Sequence, residues 1–180
     1  MGVLLLTSEQ VAQVSGLVAQ YIAAQREVFL PRAVPLTAVQ RAAMSGFFAP
    51  QLLDGIRVCG IGWCSGRESI VLPDADGNGD CQSTKLRRNG RNYLCDAVVS
   101  HEPFTDGLLF HELVHAVQYE KLGLAEFAAK YVRGFLSGGS YEVIPLEMNA
   151  LELDARFARA PTRTFSIEAE VGAWIDSDRL

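Results

Sequence analysis

The chain has little that would tie it to nucleic acid or to a membrane. Its 180 residues include 16 basic and 21 acidic side chains, a formal net charge of -5, with no basic block or Arg-rich stretch. Nucleic acid is therefore not an expected partner. Long apolar runs are missing as well. Val3 to Leu6 falls far short of the roughly 20 residues of a membrane span and lacks the basic flank and cleavage site of an export signal. No membrane span is expected. No internal repeat, low-complexity tract or linker interrupts the chain, and 49% of its residues are hydrophobic, enough for one sizeable core. The expectation is a single domain over 1–180.

Three textures follow one another. Thr7 with Gln10 makes a capping-box start, and Val11, Val14, Leu17 or Val18, and Tyr21 or Ile22 recur at helical spacing, which predicts an amphipathic first helix. Thr37 with Gln40 repeats the signal before Val39, Ala42, Ala43 and Met44, predicting a shorter helix that ends near Gly46 and Pro50. Between Arg57 and Ser100 the sequence turns to β-branched and aromatic runs, such as Ser69 to Leu72 and Tyr93 to Val99, broken by Gly, Asn and Asp; this is the expected sheet. Further helices are predicted near 107–121, 124–136, 145–159 and 166–176. The order of helices, small sheet and helices gives an α+β domain.

Histidine is scarce, with 3 in the chain, yet two stand at a metal-binding spacing in His111-Glu112-Leu113-Val114-His115. Set between Leu108-Leu109-Phe110 and Ala116-Val117-Gln118-Tyr119, the motif falls on a predicted apolar helix, where residues four apart share one face. Each imidazole can then offer a nitrogen to one zinc ion at about 2.0–2.1 Å. Glu112, beside the first histidine and turned away from direct coordination, suits a general base that takes a proton from water. The competing reading is two surface histidines on an amphipathic helix, which the rarity of histidine here disfavours.

Zinc needs a third protein ligand. His101 lies ten residues upstream of His111, and no further histidine follows His115. A later carboxylate is the better source, with Glu142, Glu147, Glu152 and Asp154 as candidates. Glu147 follows Ile144-Pro145, where Pro suits a first helical turn, and its helix would turn Leu146, Ala150, Leu153 and Phe157 to the core. Glu152 points away from the face shared by Glu147, Ala150, Leu151 and Asp154, and Glu142 precedes the helix. Glu147 is the expected ligand, against an ordinary acid favoured by the helix N-terminus. Asp154 would orient a ligand histidine or stand as a solvated acid.

Leu109 to Gln118, followed by Ile144-Pro145-Leu146-Glu147-Met148-Asn149-Ala150, resembles the gluzincin class of zinc metallopeptidases, and within it small bacterial zincin domains. The resemblance covers roughly 93–158. It implies a zincin-like fold, a sheet followed by the active-site helix, a substrate cleft beside an edge strand, and Glu147 as third ligand to Zn2+. Gluzincins carry an acid four residues after the ligand glutamate; here that position is Leu151, and Asp154 is the available substitute.

Other groupings are weaker. Cys59, Cys64, Cys81 and Cys95 all fall in the β-rich stretch. Two disulfides there would imply a secreted or periplasmic protein, whereas four reduced thiols would fit the cytoplasm; a four-cysteine zinc site is disfavoured because no Cys-x-x-Cys pair is present. Asp74-Ala75-Asp76-Gly77-Asn78-Gly79 matches the start of a calcium loop, but its twelfth position is Lys85, so a plain hairpin loop is expected. Tyr131 and Tyr141 are core or rim residues that could donate to an oxyanion, and Phe127, Tyr131 and Phe135 step by four as core packing. The leading function is a zinc metallopeptidase acting on a peptide or protein substrate. The alternative is a zinc-stabilised binding or toxin-associated module with little or no catalysis, for which Glu112 would have no use.

Overall fold

Both capping boxes are formed. Thr7 Oγ1 accepts from Gln10 N while Thr7 N donates to the Gln10 side chain, opening α1 (Ser8–Phe29). Thr37 and Gln40 do the same for α2 (Ala38–Met44). These bonds satisfy backbone donors that the first helical turn leaves orphaned. The computed structural model describes residues 6–60, 96–138 and 140–180. Among these stand α3 (Pro50–Gly55), β1 (Val34–Pro35), β2 (Arg57–Gly60), β3 (Ala97–Ser100), α4 (Asp106–Leu122), α5 (Leu124–Gly138), α6 (Pro145–Arg159) and α7 (Ile167–Asp176). The described chain is thus mixed α+β, mostly helical, with a small three-stranded sheet. None of its described helices is long and apolar enough to cross a membrane.

The strand order is β1-β2-β3. β1 runs antiparallel to β2, with Val34 opposite Val58, and β2 runs parallel to β3, from Arg57 opposite Ala97 to Gly60 opposite Ser100. The expected strand at Ser69–Leu72, the start of the run at Tyr93, the 74–80 loop, Cys64, Cys81 and Cys95 lie outside the described residues. Cys59 is buried in β2.

α4 forms the centre of the core. Its Leu109, Phe110, Leu113, Val114 and Val117 are fully buried, and Phe110 stacks on Phe157 of α6 at 4.3 Å between ring centroids. Phe47 meets the same ring edge-on at 5.5 Å. Aromatic contacts of this kind add to the area they bury. Phe110→Ala is therefore expected to cost about 3–5 kcal/mol, read by denaturant unfolding of the folded variant.

Three expected faces differ. On α1 the side turned inward, against α5, is centred on Ser15, whose hydroxyl bonds back to Val11 O at 2.7 Å; Val11, Val18 and Ile22 are half-buried while Val14, Leu17 and Tyr21 are exposed. The small serine permits close approach of the neighbouring helix, and the larger residues flank it. Val39 of α2 is exposed, leaving Met44 as that helix's buried anchor. On α5, Phe127 is buried and Tyr131 packs against the core, but Phe135, one turn further along, is 50% exposed.

Candidate metal centre

Helix pitch alone sets His111 and His115 on one side of α4. Between Leu109 and Tyr119 every position is buried except His111, Glu112, His115 and Tyr119, so the motif occupies the one stripe of that segment the core does not cover. Thr105 caps the helix by accepting from Leu108 N at 3.2 Å, and Gly123, at φ 75°, ends it. Glycine takes that left-handed backbone without a Cβ penalty.

The third side chain arrives on α6. Pro145 occupies its first turn with Glu147 two residues on, and Glu147 is 3% exposed. The end of α5 closes tightly on this start. A Cβ on Gly134 would lie 2.8 Å from Pro145 Cδ, and one on Gly138 would collide with Val143 Cγ2. Leu146, Ala150, Leu153 and Phe157 are buried, as helical phase predicts.

His115 Nε2 lies 3.2 Å from His111 Nε2 and 3.2 Å from Glu147 Oε2, and His111 Nε2 lies 3.4 Å from the same oxygen. Tetrahedral ligands at about 2.0–2.1 Å from a zinc ion stand about 3.3 Å from one another. The triangle therefore has the size that gripping one small divalent ion demands, and its donor set of two imidazoles and one carboxylate suits such an ion. Of the other expected candidates, His101, Glu142 and Glu152 are exposed and stand outside the cluster; Glu152 instead lies 3.8 Å from Arg179.

Asp154 sits against the His111 side of α4. A Cβ on Gly107, one turn before His111, would be 3.7 Å from its Oδ1, and that oxygen is buried with no hydrogen-bond partner among the described residues. Burial raises the Asp154 carboxyl, and the charge on His111 opposes that rise. A lone buried polar atom costs about 1–3 kcal/mol, so Asp154 is poorly accounted for as an ordinary solvated acid.

Charges around the triangle reinforce one another. Burial would raise the Glu147 carboxyl, but hydrogen bonds from His111, His115 and Tyr141 outweigh it and bring the group down to about 2. Burial would lower His115, and its hydrogen bond to Glu147 outweighs that, so its pKa rises. Partial burial, aided by the Glu147 carboxylate, pushes the Tyr141 phenol up, keeping it a donor at every ordinary pH. Tyr141 is a half-exposed rim residue; Tyr131, also raised by burial and by Glu147, packs against the core.

A cleft of about 340 Å³ opens beside the cluster. α4 contributes Glu112 and His115 to it, β3 contributes Ala97 to Val99, and α1 contributes Tyr21 and Ile22. Arg26 of α1 also faces the cleft but is committed to Asp96 just before β3, in a two-pronged pair at 2.8 and 3.0 Å.

Two buried residues behind the triangle carry no signal in the His-Glu-x-x-His pattern. Gln118 and Asn149 are both 0% exposed, and Gln118 joins His115 to α6. Each is a polar residue on a helix face otherwise given to the core, which is the mark by which they can be found. Comparison of the chain with protein-family models, with curated proteins and with solved structures returns no match.

Proposed function

We propose that this chain is a zinc metallopeptidase of the gluzincin class, with a zincin-like arrangement of sheet and active-site helix. The observation that carries the proposal is the convergence of His111, His115 and Glu147 donor atoms at 3.2–3.4 Å, with Glu112 on the adjoining cleft wall. His111, His115 and Glu147 would hold the ion. When bound, zinc supplies a Lewis acid that polarises a carbonyl and acidifies water.

The chain's own residues do the rest. Glu112 lines the cleft and is not one of the three clustered ligand residues, so its carboxylate would take the proton of the attacking water and deliver it to the leaving amine. Tyr141, half-exposed at the rim, donates its one phenolic proton to Glu147 and so would help hold the carboxylate of the third ligand. Among the described residues β3 pairs on one side only, with β2, and its residues Ala97 to Val99 line the cleft. An extended peptide laid along β3 would gain backbone hydrogen bonds and bring its scissile bond past Glu112.

Metal analysis and digestion of a peptide library test this together. The purified protein should carry about one zinc per chain, cleave peptides, lose cleavage with chelator and regain it with added zinc. Zinc should also raise its melting temperature, because an ion bound only by the folded state adds its binding energy to folding. Absence of metal together with chelator-insensitive stability would overturn the site. Tightly held metal with no cleavage of any peptide would favour a binding module.

A further inference from the structure

Gln118 lies three residues beyond His115 on α4 and reaches in two directions. Its Nε2 donates to Leu146 O at 3.0 Å and to Asn149 Oδ1 at 2.9 Å. Both partners accept, so both amide protons are used there, and the amide oxygen is left facing His115 Nδ1 at 2.8 Å. An amide oxygen only accepts. Nδ1 of His115 must therefore carry a proton. Without metal Nε2 can also be protonated and donate to Glu147, and when one proton is given up to make way for an ion it is the one on Nε2, the atom that faces His111 and Glu147. The opposite tautomer would set lone pair against lone pair at Gln118 and aim a proton into the ligand triangle.

The same amide grips α6 on both sides of the third ligand, since Leu146 precedes Glu147 and Asn149 follows it by two. Asn149 bears a cost for this: its Nδ2 is buried without a partner among the described residues. An apolar residue would avoid that loss and fill the space, so the useful atom is the oxygen turned to Gln118.

We propose that Gln118 and Asn149 are positioning residues of the metal site, a buried amide relay that holds His115 in the Nδ1–H tautomer and locks the first turn of α6 at the spacing Glu147 needs. The relay rests on the metal-site reading given under the proposed function. Neither residue touches the reacting atoms. Their effect is to present a lone pair and a carboxylate oxygen already oriented, as outer partners of metal-ligating histidines do.

Gln118→Met keeps length and volume and removes every hydrogen bond of the relay. Zinc affinity, measured by competition with a chromophoric chelator, should fall about 10–100-fold. Asn149→Ala, which removes only the far acceptor, should weaken zinc less and in the same direction, and decides the matter if Gln118→Met does not fold. In the zinc-loaded wild type, the His115 Nδ1–H proton should give a slowly exchanging imidazole signal in nitrogen-15 correlation spectra; Gln118→Met should lose it. A merely structural role would lower the stability of the metal-free protein and leave zinc affinity and that signal unchanged, and this result overturns the relay alone. A wild type that binds no metal removes both the relay and the metal site.

Discussion

Glu112→Gln is expected to keep the fold and the zinc while lowering the hydrolytic rate by about 10²–10⁴-fold, the range that loss of a positioned general base produces. The prediction depends on the separation between the metal cluster and the cleft wall. His111, His115 and Glu147 supply all three donor atoms of the triangle, and Glu112 supplies none. Its carboxylate instead lines the cleft next to His115. Glutamine has the same length and volume, so packing around Leu113 and Ala116 has no reason to change, but an amide does not take a proton at neutral pH. The Glu112 charge contributes to the rise of His115 in the metal-free protein, so the substitution should slightly ease deprotonation of that ligand. Metal analysis and peptide cleavage measured on one preparation check both halves. A variant that still cuts at the wild-type rate would remove Glu112 from the mechanism; one that loses its zinc would show that the carboxylate supports the ion.

Much of the site is legible in the chain because its geometry is local. His111 and His115 meet through helix pitch, and Thr105 and Gly123 bound the helix that carries them. Glu147 is found through Pro145, which marks a first turn, and through the apolar phase of Leu146, Ala150, Leu153 and Phe157. What is missed depends on contacts between elements. Pro50 appears at first as the stop for α2, but it opens α3, the other place where a missing N–H does no harm. β1 is two residues long and contains Pro35, so it carries no alternating pattern; it exists because β2 offers a partner at the sheet edge.

Faces are harder to read than helices. α1 carries apolar residues around more than half its circumference, and periodicity does not reveal that the inward side is the one centred on Ser15. Val39 and Phe135 fit apolar stripes by spacing, yet both are exposed, and spacing alone does not say which positions a neighbour covers. Gln118 and Asn149 are invisible singly. They gain meaning once α4 and α6 are packed together and the two amides, 31 residues apart, lie 2.9 Å from each other.

Glu147→Ala is expected to weaken zinc binding by at least about 100-fold, exceeding the loss that outer partners of a ligand produce, while Glu142→Ala and Glu152→Ala leave it nearly unchanged. Both of those acids are exposed and outside the triangle, whereas Glu147 Oε2 is within 3.4 Å of both imidazole nitrogens. Without metal the same substitution should depend on pH. The Glu147 carboxyl is held down to about 2 in the folded protein, so its contribution is present above the unfolded value of about 4.3 and fades as pH falls toward 2. His115 is raised, so its contribution is complete below its unfolded value of about 6.5 and is lost as pH climbs through the raised one. Both contributions are therefore intact only between about pH 4.3 and 6.5, and in chelator Glu147→Ala should lower the melting temperature most in that window and less at pH 8. In zinc the order reverses, because protons compete with the ion for the imidazoles and the lost ligand matters most where zinc binds best. Thermal unfolding at pH 5.5 and pH 8, with chelator and with zinc, supplies the four measurements. Equal zinc affinity in Glu147→Ala and wild type would sink the assignment of the third ligand, and a pH-independent effect in chelator would show that the carboxylate is not paired with His115 in the metal-free protein.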